Sequence, residues 1–343
     1  MKRPKLSAII NLFFRMHLFD GLHRATNRNR LTVLAYHRID DPHRPGFDTF
    51  TPNVSATPAQ FAEQMAYLRT RYSVVSANDV TAWLRGEKPL PPYPALITFD
   101  DGYFDNFKYA LPVLKKFGFP AVVFLATDYI GKSAPFFWDL AAYCFAHTEK
   151  TSADFPPAGE LRWHDSNSRT TAMVSWLERL KTVPDVEKWA HIHALPDLLD
   201  VAIPDDAFAG ITMTWAQVRE MVANGVTMGA HTMSHPVLTR VPAKQARAEV
   251  FGSKACIEAE IGAPVTTFAY PNGHPADFNA AIQRDLADAG IEAAFTLVSG
   301  PATPAEMREN PFTIRRMFLS HKDSLPRFAA KLVGLPRMLG FPR

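Results

Sequence analysis

The sequence predicts an α/β fold in which βα units close into a distorted barrel. Seven short runs rich in β-branched and apolar residues are each long enough for one buried strand, and helical patterns fill the gaps between them. In addition, 47% of the 343 residues are hydrophobic, sufficient for one large core. The alternation calls for parallel strands, and in such a barrel reactive side chains collect at the C-terminal strand ends. An open doubly wound sheet is the alternative arrangement of the same units.

In order, strands are expected at Leu31–His37, Ala95–Phe99, Ala121–Ala126, Val226–Ala230, Thr266–Tyr270, Ala293–Leu297 and Phe312–Met317. Two helices declare their starts by capping boxes, Thr57-Pro58-Ala59-Gln60 and Thr214-Trp215-Ala216-Gln217, in which threonine and glutamine side chains satisfy the first free N–H groups. Further helices are expected over Asn106–Phe117, Ala243–Ile261 and Asp277–Ala289. No glycine-rich phosphate loop follows a strand, which argues against a dinucleotide or nucleoside triphosphate. Residues 133–209 break the rhythm with Phe136, Phe137 and Trp138, then polar residues and prolines, and read as a helical insertion in a domain of residues 31–320.

The charge is unevenly spread. Residues 1–30 hold seven Lys/Arg against Asp20, and residues 321–343 hold five against Asp323, so the net +3 divides into +6, +4 and −7 for the body. An acidic body without basic-aromatic runs argues against a nucleic-acid partner. Two cysteines, Cys144 and Cys256, exclude a disulfide framework or a cysteine zinc site. No stretch has the roughly 18 uninterrupted apolar residues of a spanning helix, and no signal-peptide cleavage pattern follows Leu6–Phe14. The expectation is a cytoplasmic protein with peripheral membrane contact through its basic ends. Residues 1–30 read either as an amphipathic helix lying on a membrane or as one packed on the domain itself. The tail, residues 321–343, carries Leu325, Phe328, Leu332, Leu335, Met338 and Leu339 among basic residues, with Pro326 and Pro336 opposing one continuous helix.

Three strand ends carry chemistry. Asp100-Asp101-Gly102 places adjacent carboxylates where an apolar strand gives out; it is either a solvated turn or a pair held near a cation. Gly229-Ala230-His231-Thr232-Met233-Ser234-His235 follows another strand, and a helical turn there would set His231 and His235 on one face about 5–6 Å apart, suited to one metal ion. Two imidazoles and one carboxylate leave coordination positions open, as a catalytic site requires. The third segment is Phe268-Ala269-Tyr270-Pro271-Asn272-Gly273, which as plain sequence favours a turn.

Together these three segments resemble the polysaccharide deacetylase family with its NodB homology domain, carbohydrate esterase family four, over about residues 31–320. The resemblance implies a distorted barrel of seven strands that removes N-acetyl groups from saccharides with zinc or a similar divalent metal. It further implies Asp100 as general base, Asp101, His231 and His235 as metal ligands, and the backbone N–H at Asn272 as oxyanion donor. The family's third motif carries an arginine and a tyrosine where this chain has Ala269 and Asn272, so Arg315 or Arg316 is the expected replacement for orienting Asp100. Leu319-Ser320-His321 resembles the family's proton-donor motif, and Tyr36-His37 resembles a pair in its exopolysaccharide-biosynthesis branch, making His321 and His37 the candidate proton donors. The expected function is metal-dependent de-N-acetylation of N-acetylhexosamine units of a polysaccharide, oligosaccharide or lipid-linked saccharide. The alternatives are a deformylase of a lipid-linked amino sugar, an amidohydrolase on a non-sugar amide, and a carbohydrate-binding protein without catalysis.

Overall fold

Strands with water on neither side need no polar alternate positions, and the central strands show this. In the computed structural model, which describes residues 3–300 and 303–335, every residue of β1 (Thr32–Tyr36), β2 (Pro94–Phe99) and β3 (Ala121–Leu125) is buried. The barrel continues through β4 (Val226–Ala230), β5 (Thr267–Ala269), β6 (Ala293–Thr296), β7 (Ile314–Arg315) and β8 (Met317–Phe318). All neighbours pair in parallel, in the order β7-β6-β5-β4-β3-β2-β1-β8. Alternate side chains serve two layers: Val33, Leu96, Val122, Ala269 and Phe295 join one apolar cluster, while Leu34, Ile97, Val123 and Phe268 join another with the helices.

The seventh expected strand is in fact two. Ile314–Arg315 pairs with β6 and Met317–Phe318 with β1, at opposite edges of the sheet, so Arg316 stands at the seam where the barrel nearly closes. Both capping boxes form, at helices Pro58–Arg69 and Trp215–Ala223, and helix Ala243–Ile261 has the expected limits. The helix expected over Asn106–Phe117 begins instead as a π-helical turn, Asn106–Ala110, before Leu111–Phe117. Pro112 lacks the N–H that a regular helix would direct to residue 108, which accounts for the widened turn. Helix Ala280–Asp288 starts later than expected because Asn279 is its cap, accepting from the N–H groups of Ala281 and Ile282.

The insertion contains helices Phe137–His147, Ser166–Leu180 and Asp185–Leu199, and also an antiparallel hairpin, Ser152–Phe155 with Gly159–Arg162, that the sequence reading did not foresee. It has its own apolar core, including Phe145, Phe155, Trp163 and Trp176. At the N-terminus, α1 (Arg3–Arg15) and α2 (Leu18–Thr26) pack on the domain. Phe19 is buried, His23 Nε2 lies 2.8 Å from the Arg71 carbonyl, and Asp20 pairs with Arg71 at 2.8 Å. Asn27 Nδ2 donates to Tyr72 Oη and to the carbonyl of Leu332 in helix Leu325–Leu332, tying the two ends of the chain together. The expected tail residues Pro336, Met338 and Leu339 lie outside the described residues. Among those described, no helix is long and apolar enough to cross a membrane.

Candidate metal and catalytic site

The site begins where β2 ends. Asp100 donates its N–H to the Tyr36 carbonyl on the neighbouring strand, continuing the ladder by one residue, and Asp101 then turns at φ 74°. Gly102 follows at φ 82°, and a Cβ there would sit 2.7 Å from Ile130 Cδ1, so both its freedom and its smallness are used. Of the seven described non-glycine residues with left-handed backbone, Asp101, Thr232, His235 and Asn272 belong to these three strand-end loops. Each such conformation costs about 1–3 kcal/mol and is kept where the surroundings impose it.

Asp100 is fully partnered. Arg316, itself completely buried, donates Nη1 to Oδ1 at 2.6 Å and Nη2 to Oδ2 at 2.7 Å, while its Nε and Nη1 also donate to the Thr296 carbonyl and to Thr98 Oγ1. Burial pushes the Asp100 pKa up, but the Arg316 guanidinium, joined by His231 and His37, more than offsets it and the net pKa is lowered to about 2. Of the two arginines expected as replacements, Arg316 takes the place and Arg315 pairs with Glu306. Asp101 is the opposite case: both its oxygens are buried and lack any hydrogen-bond partner among the described residues. Burial and the adjacent Asp100 push its pKa well above the usual carboxylate range. A buried carboxylate in that condition calls for a cation.

The histidines face it, although residues 231–235 form a loop and not the expected helical turn. The loop runs through Thr232 at φ 67° and His235 at φ 58°, and Glu249 holds it by accepting from the N–H groups of Met233 and Ser234. The two Nε2 atoms come within 3.1 Å of each other, and lie 3.6 Å (His231) and 3.4 Å (His235) from Asp101 Oδ1. His231 donates Nδ1–H to the Ala269 carbonyl at 2.7 Å, which fixes Nε2 as the lone-pair nitrogen. Burial lowers the pKa of both histidines, keeping them neutral as ligation requires. Ligand atoms of Asp101, His231 and His235 all lie within 4.8 Å of one another. The buried, unpartnered carboxylate and two neutral imidazoles fit a divalent cation with nitrogen and oxygen ligands, zinc among them.

His235 lacks the backbone tether of His231. Its Nδ1 is buried without a hydrogen-bond partner among the described residues, and the ring is flanked edge-on by Trp138 at 4.8 Å and by Phe136 at 5.8 Å, both from the insertion. Trp138 is fixed in turn, with Nε1–H donating to Tyr103 Oη at 2.7 Å and Tyr103 donating to Asp139 Oδ2 at 2.7 Å. Sequence reasoning assigned no role to this support, because it pairs one strand-end loop with an insertion whose placement is set by tertiary packing.

The cleft brings together His37, Asp100, Asp101, His231, His235 and Asn272, with His274 beside them and Trp138, Leu177 and Lys181 supplied by the insertion. His37 Nε2 is 3.8 Å from Asp100 Oδ2, and burial, partly offset by Asp100, lowers its pKa to about 4. Asn272, at φ 62°, donates its side-chain N–H to Asp277, which also accepts from the His274 N–H. Gly273 is confined: a Cβ would meet the Leu297 nitrogen at 2.8 Å. His321 is not brought to the cleft. Its Nδ1 lies 3.0 Å from the Val54 carbonyl, which also accepts the His321 backbone N–H.

A family model described as polysaccharide deacetylase matches residues 87–294. YxkH of Bacillus subtilis, which carries a polysaccharide deacetylase name, is 32% identical over 105 residues, 30% of this chain and 33% of that protein. The poly-β-1,6-N-acetyl-D-glucosamine N-deacetylase of Escherichia coli is 33% identical over 95 residues, 27% of this chain. This chain therefore aligns to a third or less of those relatives' own length, 33% and 13%. The fold is similar to that of a Streptococcus pyogenes deacetylase, PplD, solved with acetate: TM-score 0.58, 16% identity, 89% of this chain and 99% of that one. It is equally similar to IcaB of Ammonifex degensii: TM-score 0.57, 21% identity, 89% of this chain and 97% of that one.

Proposed function

Because the chain belongs to the polysaccharide deacetylase family, we propose that it is a metal-dependent hydrolase removing N-acetyl groups from N-acetylhexosamine units of a saccharide. The observation that carries this reading is the unpartnered Asp101 carboxylate facing two neutral imidazoles, with Asp100 beside it. Asp101, His231 and His235 would hold the ion, which when bound supplies a Lewis acid for the amide carbonyl and lowers the pKa of water.

The other roles fall to the chain's own groups. Asp100 accepts the proton of the attacking water, and the Arg316 fork keeps that carboxylate ionised and in one orientation. The backbone N–H at Asn272 donates to the developing oxyanion. The leaving amine receives the proton that Asp100 took from the water, relayed through His37, whose Nε2 is 3.8 Å from Asp100 Oδ2; that proximity supports His37 over His321, whose ring is turned to Val54. The Trp138 and Leu177 wall excludes bulk water from the reacting group.

Acetate release and bound metal, measured in parallel, test the assignment. Asp100→Asn should lower kcat by about 10²–10⁴-fold with metal content near wild type, and His231→Ala should lower both. Wild-type turnover in either variant refutes it, and release of formate in place of acetate from a panel of N-acylated sugars transfers the reading to a deformylase.

A further inference from the structure

Helix α1 is apolar on two faces. Ile10 is buried, and Phe13 and Phe14 pack against the barrel's outer apolar layer. On the other side Ile9, Leu12 and Met16 recur at helical spacing and are 45%, 52% and 59% exposed, and Leu18 at the start of α2 is 41% exposed. Among the described residues Val186 is the other large hydrophobic side chain so exposed, and it belongs to the insertion. A surface helix ordinarily turns polar side chains opposite its buried stripe, whereas the outer side of α1 sets Ile9, Leu12 and Met16 alongside Asn11 and Arg15.

The exposed charged side chains of residues 7–30 have one sign. Arg15, Arg24, Arg28 and Arg30 are exposed, whereas Asp20, the one carboxylate of residues 1–30, is engaged by Arg71 and His17. Along α2 the exposed positions Leu18, Gly21 and Ala25 extend the apolar strip with Arg24 at its border. A narrow apolar strip with a cationic border has the form that settles into a lipid interface, where apolar side chains enter the acyl boundary and arginines meet anionic headgroups.

We propose that the outer face of α1 and the start of α2 dock on an anionic lipid surface. The packed inner face holds α1 and α2 on the domain while the outer face binds, so the two readings of residues 1–30 describe two sides of one helix.

Flotation of the full chain with phosphatidylcholine vesicles, with and without about 30% phosphatidylglycerol, at low and high salt, tests this. Binding should require the anionic lipid and weaken with salt. The double variant Leu12→Glu, Met16→Glu should lose it by about tenfold or more, and Val186→Glu should retain it. Deacetylation of a soluble substrate and the thermal midpoint, which report catalysis and folding separately, should be unchanged in the double variant. Several results overturn the proposal: no flotation of wild type, equal flotation of the double variant, a dimer in solution that the double variant converts to monomer without lipid binding, or binding that appears only when residues 336–343 are removed. Loss of the catalytic assignment alone leaves it standing.

Discussion

Replacing Arg316 by glutamine leaves Asp100 ionised, out of water and without its counter-charge. Removing one partner of a buried pair costs about 3–5 kcal/mol, so Arg316→Gln should lower stability by that order in denaturant unfolding, and Asp100→Asn in the same chain should recover part of it. Arg316→Lys keeps the charge but not the two-pronged grip, and should retain more stability than glutamine while still losing deacetylase activity. That Asp101, His231 and His235 come together was legible in the sequence because residue type, spacing and strand-end position are local properties. Arg316 was legible only as one of two neighbours, since its partner is 216 residues away and the seam that aims it exists only in the closed sheet.

Among elements, those specified by adjacent residues were read correctly: both capping boxes, and helix Ala243–Ile261. The loop after β4 departed from expectation because Thr232 and His235 adopt left-handed backbone that Glu249 stabilises from 15–16 residues away. Helix α2 shows how such distant support also sets a pH response. His23 lies between Tyr72 and Tyr93 and bonds the Arg71 carbonyl, and its other ring nitrogen is buried without a partner among the described residues. Burial lowers its pKa below the ordinary 6.5. The folded form therefore favours neutral imidazole, so its contribution is complete above that value and declines as pH falls below it. Amide exchange in α2 should accelerate relative to the barrel between about pH 7 and 5, and His23→Phe should flatten that dependence.

For the molecule as a whole, the barrel, the insertion and the paired termini meet different demands. The barrel's parallel order was visible from the alternation of strand and helix patterns. The insertion's hairpin and its place along the cleft were not, because they depend on a separate core. If Asp101 is charged only with a cation beside it, the ion and the fold stabilise each other. A saturating divalent metal at 100 times its Kd adds about 2.7 kcal/mol, so chelation should lower the thermal midpoint of wild type, and Asp101→Ala should remove most of that difference.

The contact between Trp138 and His235 has a thermodynamic corollary. An indole that forms cleft wall on one side and steadies an imidazole on the other cannot shift for a sugar without altering how firmly that imidazole grips an ion. If a saccharide and an ion bind as proposed and the sugar displaces Trp138, reciprocity requires the ion to change the sugar's affinity by the same factor, and a metal titration with and without sugar reads that coupling.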